Sequence, residues 1–427
     1  MSSIAHDPSE YIKGFQQLLI SDKKKIAFLF GAGTSLANKC NCSGCVPGIA
    51  ELTSAIEAEL SKTEKYKIAL SEIRDEIGNG KFQLEALLSN LEQKNQIIGK
   101  GKLNGLDRQE LIELINTVKN HIRVLTGIHE KLISKECDIN NLIHCDFAEW
   151  IGRADRKYPI EIFTTNYDYL FEIGLEHKHV AFYDGFTGSF MPFFNADSVE
   201  DFCFLPNQVK LWKLHGSLGW HFDEETKKVI RKDSSHKDIL IYPSTLKYSD
   251  SKKQPYISLL DRLSAFLKRD DTILITCGYS FSDEHINERI RTALNSNAST
   301  HVIALYHDVS ARNGSRSYSF TIDSELANIA KANSKISVYA RRHAIIGCQY
   351  GQWRLRREPD RTDTISLNSY FDEDASMGSN ELNKQDKGAE VWTGEGELVL
   401  TDFAKFVAFL RAMMVDNTQH IRMSNDK

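Results

Sequence analysis

Four short runs place chemically capable side chains at the ends of apolar segments. Gly31-Ala32-Gly33-Thr34-Ser35 follows KKIAFLF. Two glycines let a backbone approach a pyrophosphate closely, and N–H groups at the start of a following helix can donate to it. The run lacks the G-x-G-x-x-G spacing of dehydrogenase turns, and a purely structural strand–helix turn would use the same residues. Thr164-Thr165-Asn166-Tyr167-Asp168 follows EIF. An amide and a carboxylate two residues apart can face one ligand, although either could simply cap a helix. Leu214-His215-Gly216-Ser217 follows VKLWK. A histidine there is placed to act as a general base near neutral pH, or to be structural. Cys277-Gly278-Tyr279-Ser280-Phe281-Ser282-Asp283 closes a further apolar run. It could fold over the adenosine half of a dinucleotide or merely connect two elements. In open parallel sheets ligands bind beyond the carboxyl ends of the strands, so the four runs together say more than any one.

The elements that would position these runs are buried strands. They are expected at KKIAFLF (24–30), Ile160–Thr165, Val209–Leu214, Ile239–Tyr242, Thr272–Cys277 and His301–Tyr306. Each is short and apolar, and most are separated by helical stretches. That alternation predicts an α/β fold: a Rossmann-like parallel sheet with helices on both faces. Residues 47–156 read as a large helical insertion, because ELTSAIEAEL, FQLEALLSNLE and RQELIELINTVKNHIRVLTGIHEKLI space apolar residues helically. The expected organisation is a catalytic domain over 1–345 and a C-terminal extension over 346–427. Within the extension, 358–396 reads as a polar linker. A terminal helix follows at LTDFAKFVAFLRAMM, capped by Thr401 or Asp402.

The chain has 427 residues and a formal net charge of −5. That balance argues against direct nucleic-acid contact over a broad surface. No run of 18 apolar residues is present and MSSIAHDPSEY has no signal-peptide pattern, so a cytoplasmic protein is expected. Eight cysteines fit reduced thiols. Cys40, Cys42 and Cys45 could bind metal, but a structural zinc site wants four ligands and no second CxxC pair exists. No metal is expected. The arginines from Tyr339 to Arg361 could meet nucleic acid or an acidic partner, form a solvated face, or pair with Asp372–Asp374 of the same chain.

In order, the four motifs resemble the sirtuin-like NAD-consuming family: a GAG-S turn, an N-x-D strand end, an HG histidine and a later G-S turn. The resemblance runs from about Ile26 to Tyr306, with FQLEALLSNL and LIYPSTLKY (240–248) in support. It implies that Asn166 positions the reacting ribose or its water, that His215 is the base, and that Asp168 orients both. It implies NAD contacts from Gly31, Ala32, Gly33, Thr34, Ser35, Thr165, Gly278, Ser280 and Asp283. Deacylating sirtuins carry a four-cysteine zinc module after the histidine. Here only Cys277 and Cys348 follow His215. That departure points to the sirtuin-like NAD hydrolases of bacterial antiviral defence. The implied partners are further copies of the chain, a HerA-like ATPase or a nucleotide-sensing protein. An NAD or ADP-ribose sensor and a protein ADP-ribosyltransferase are the competing readings.

Overall fold

The computed structural model describes residues 4–37, 39, 46–154, 156–234, 254–312, 315–360, 367–374 and 392–424. Cys40, Cys42, Cys45 and the expected strand Ile239–Tyr242 lie outside the described residues. Two compact units are present: Met1–Phe30 with Glu149–Glu161 and Ser264–Lys427, and Gly31–Ala148 with Ile162–Leu263.

The first unit is built on a parallel-dominated sheet. Strands Lys25–Phe30, Thr272–Cys277, His301–Leu305 and Ile336–Tyr339 lie side by side, all parallel. Cys277 is level with both Phe30 and Leu305, so the strand ends align. Three further strands extend the edge: His343–Ile346 and Gln349–Trp353 in antiparallel steps, then Ala5–His6 beside the latter. Every residue from Ile26 to Phe30 is buried, which requires cover on both faces of the strand. Part of that cover is the terminal helix Phe403–Ser424. Phe406 packs on Phe28, Phe403 on Phe30, and Phe409 stacks on Phe15 of the helix Pro8–Ile20. Asp402 caps the terminal helix, accepting from the Lys405 N–H at 3.1 Å.

The stretch read as a polar linker contributes to this unit. Phe371–Glu373 and Gly396–Leu398 pair antiparallel. Buried Glu397 is met by Arg341 at 2.9 Å, Arg316 at 3.4 Å, Arg342 at 3.5 Å and the Tyr318 hydroxyl. Arg342 also pairs with Asp374, so part of the arginine run is internal wiring.

In the second unit the strand Glu161–Thr164 neighbours Val209–Lys213, and Phe182–Tyr183 runs parallel to the latter. A four-stranded sheet follows, from Phe186–Thr187, Phe193–Phe194, Lys228–Arg231 and Trp220–Asp223. The helical insertion contains Ile49–Leu60, Glu64–Ile77, Leu84–Ile97 and Arg108–Thr126. Their apolar stripes close on one core that includes Ile56, Ile73, Leu88, Leu91, Leu114 and Val118. Asp107 and Glu110 form a reciprocal cap at the start of the longest of the four.

Among the described residues, no helix is long and apolar enough to cross a membrane.

Candidate functional site

The Asn166 loop begins where the Glu161–Thr164 strand ends. Thr164 fixes the exit: its hydroxyl accepts from the Asn166 N–H at 3.1 Å, and its carbonyl accepts from the Leu214 N–H at 2.8 Å. The second bond brings the histidine segment alongside. Tyr167 strengthens the join, since its carbonyl accepts from the Leu218 N–H at 3.1 Å and the Ser217 hydroxyl at 3.4 Å. His215 is buried on the segment so held. Gly216 adopts φ +85°, a left-handed conformation natural to glycine, and its N–H returns to the Lys213 carbonyl at 3.1 Å. The HG pair is therefore a tight turn directly beyond the strand.

Asn166 and Asp168 both reach the glycine turn. The Asn166 side-chain nitrogen lies 3.1 Å from the Gly31 carbonyl, 3.1 Å from the Thr34 hydroxyl and 2.8 Å from the Ser35 hydroxyl. Ser35 in turn donates to Asp168 Oδ2 at 2.7 Å. Asp168 Oδ1 accepts from the Leu170 N–H at 3.0 Å, at the start of the helix Leu170–His177. Asp168 thus both holds the first N–H of that helix and anchors Ser35. Thr34, Ser35, Asn166 and Asp168 are all buried. Among the described residues, no hydrogen bond uses the amide oxygen of Asn166. Its nitrogen holds the protein, and its oxygen remains able to accept from a ligand or water.

The glycine turn itself is short. Gly31 is extended, with φ −116° and ψ −171°, a backbone open to any residue. The helix after it, Ala32–Ser35, is a single turn ending at Leu36. A macrodipole needs a longer run of aligned peptides, so what the turn offers a phosphate is its local N–H groups. Ala32 is exposed, Gly33 is half-buried, and Thr165 is half-buried beside Asn166.

Gly278, Ser280 and Asp283 belong to the first unit. Gly278 has φ +65° and so makes the expected turn after the Thr272–Cys277 strand. The Ser280 and Ser282 hydroxyls bond each other at 2.7 Å. Asp283 caps the helix Glu284–Ser296 by accepting from the His285 and Ile286 N–H groups.

Two positions invisible in the motifs shape the site. Lys213, the last residue of its strand, points its ammonium at the Tyr167 and Asp168 carbonyls and at Glu172 Oε1. Burial pushes the Glu172 carboxyl above its ordinary range, against the downward pull of Lys213. A signal for Lys213 exists in VKLWK: two lysines three apart in a short apolar strand cannot both be solvated if both faces are covered. Both Lys210 and Lys213 are buried. His144 is the second position. It is fully buried with its ring edge-on to Phe171 at 4.7 Å. Burial pushes its imidazole down to about 4, although the Asp168 carboxylate raises it.

A cavity of about 1170 Å³ opens beside these loops, with Tyr169, Glu172, Ser217, Trp220 and Arg231 in its wall. It touches the Asn166 and His215 loops at their far ends, Tyr169 and Ser217.

No curated protein matches the chain. The SIR2-like domain model matches residues 160–329, a span that holds Asn166, Asp168, His215, Gly278 and Ser280, and this match supports a sirtuin-like, NAD-related protein.

Proposed function

We propose that the chain is an NAD+ hydrolase that cleaves the nicotinamide–ribose bond to give nicotinamide and ADP-ribose. The observation that carries this reading is the division of labour in Asn166. Its amide nitrogen locks the glycine turn, while its oxygen is left able to orient a water. His215 stands on the neighbouring loop, tied to the first through Thr164 and Tyr167.

The nicotinamide ring of NAD carries positive charge and leaves neutral, so the bond breaks toward an oxocarbenium-like ribose. Water then bonds to the anomeric carbon and passes a proton to His215. The protein's task is to hold the sugar, align one water and keep bulk water away. NAD enters here as the substrate.

We place this activity in NAD depletion during antiviral defence, restrained until the chain self-assembles or meets a HerA-like ATPase or nucleotide-sensing partner. The motif resemblance supports that setting.

The test is to incubate the full chain with NAD, alone and with its partner, and to measure free nicotinamide and ADP-ribose. Asn166→Ala and His215→Ala should each lose about 10²–10⁴-fold in turnover, measured below the melting temperature of each variant so that only folded protein is compared. Near-normal turnover by either variant removes its assigned role. ADP-ribosylated protein in place of free ADP-ribose would redirect the reading to transfer, and tight NAD binding without any product would redirect it to sensing.

A further inference from the structure

We infer that Lys213 is a positioning residue for the cleavage site, holding the Asn166–Asp168 loop against the His215 turn. The inference rests on the hydrolase reading for its rate readout, and on geometry alone for its structural readout.

An ammonium has three N–H donors and no acceptor. Lys213 Nζ meets three acceptors: the Tyr167 carbonyl at 3.3 Å, the Asp168 carbonyl, and Glu172 Oε1 at 2.8 Å. Its side chain is 3% exposed, and its ammonium lies 5.3 Å from the centre of the Tyr169 ring. The two carbonyls belong to the loop that presents Asn166 and Asp168. Lys213 itself stands two residues before His215 in the sequence. One side chain therefore pins the Asn-x-Asp loop to the strand that delivers the histidine.

Glu172 completes the arrangement from the helix Leu170–His177, whose first N–H is accepted by Asp168 Oδ1. The pair thus closes a ring: Asp168 accepts from the helix's first N–H, the helix supplies Glu172, Glu172 holds Lys213, and Lys213 holds the Asp168 carbonyl. A simple buried ion pair would need only Glu172 and Lys213. The two backbone carbonyls give the lysine a task the pair does not need.

That difference supplies the experiment. Lys213→Met and the double variant Glu172→Gln/Lys213→Met are compared with the wild-type full chain. The double variant leaves no unpaired buried charge, so it carries the test if the single variant does not fold. Four quantities are read: the kcat and KM for nicotinamide release, ADP-ribose affinity, and hydrogen exchange at the amides of residues 168–170. Positioning predicts a kcat lower by about 10²-fold in both variants, the scale on which misplaced groups cost rate, with KM and ADP-ribose affinity within about threefold. It also predicts exchange about tenfold faster or more at 168–170, with the helices of residues 49–126 unchanged. Recovery of kcat by the double variant, or unchanged exchange at 168–170, overturns the inference and leaves an ion pair only. Absence of nicotinamide release by the wild type under all conditions refutes the hydrolase reading instead, and the exchange result still decides the role of Lys213.

Discussion

The side-chain amide of Asn166 donates to the Gly31 carbonyl, 135 residues earlier in the chain, at 3.1 Å. Ser35 extends that link, accepting from Asn166 and donating to Asp168. Ser35→Ala removes both bonds and leaves one Asp168 oxygen short of its donor in a buried site. The expected cost is about 1–3 kcal/mol in urea unfolding. Turnover should fall less than in Asn166→Ala, because the asparagine oxygen proposed to orient the water is retained. Equal losses in the two variants would show that Asn166 acts only through the glycine turn.

The helix carrying Glu172 passes very close to the first turn of the Ile143–Arg153 helix. A Cβ at Gly174 would lie 2.6 Å from the His144 carbonyl, which is backbone and cannot step aside. Gly174→Ala should therefore push the Leu170–His177 helix away, and with it the Leu170 N–H that orients Asp168. Overpacking of this kind costs about 1–3 kcal/mol. Unfolding titrations should show that loss, accompanied by slower nicotinamide release. An unchanged midpoint would mean that the helices separate at no cost.

Much of the framework was legible in the sequence, because buried parallel strands are continuous apolar runs. Thr272–Cys277 matches the expectation residue for residue, and Val209–Leu214 and His301–Tyr306 each lose only their last residue. The terminal helix and its Asp402 cap were equally readable, since a cap and an apolar stripe are local signals. The strands Phe371–Glu373 and Gly396–Leu398 were not. They sit in a polar stretch and owe their pairing to partners over twenty residues away, with Glu397 satisfied by arginines 55 to 81 residues earlier. At the site, residue types revealed Asn166, Asp168 and His215 as candidates. The role of Lys213 was hidden, because a lysine reads as a solvated charge until its three acceptors are seen. The helix expected after the glycine turn is present, as a single turn over Ala32–Ser35.

His144 gives the fold an acid-side dependence with a definite sign. Burial holds its folded-state value at about 4, below the ordinary 6.5. Above pH 6.5 the ring is neutral in both states and contributes nothing. Between 6.5 and about 4 the unfolded chain gains the proton first, so stability falls as pH falls, and the loss is complete below 4. A shift of this size corresponds to about 3 kcal/mol. Urea unfolding from pH 7 to pH 4 should show that decline, and His144→Leu should flatten it. A wild-type slope retained in the variant would assign the decline to other groups.

Glu397 provides the test of the first unit. It is buried, ion-pairs with Arg316, Arg341 and Arg342, and accepts from the Tyr318 hydroxyl, bridging the Gly396–Leu398 strand to the residues after the Ile336–Tyr339 strand. Glu397→Gln keeps the shape and one acceptor oxygen but removes the charge. Arg316 and Arg341 then lose their counter-charge while Arg342 keeps Asp374, at an expected cost of about 3 kcal/mol for a partly buried cluster. The loss should be larger at low salt, because Arg316 is exposed and its repulsion is screened by ions. Thermal melting of wild type and variant at two salt concentrations measures both effects. A loss that is small and independent of salt would mean that the guanidiniums find other acceptors, with Asp374 already bonded to Arg342 as the nearest at hand.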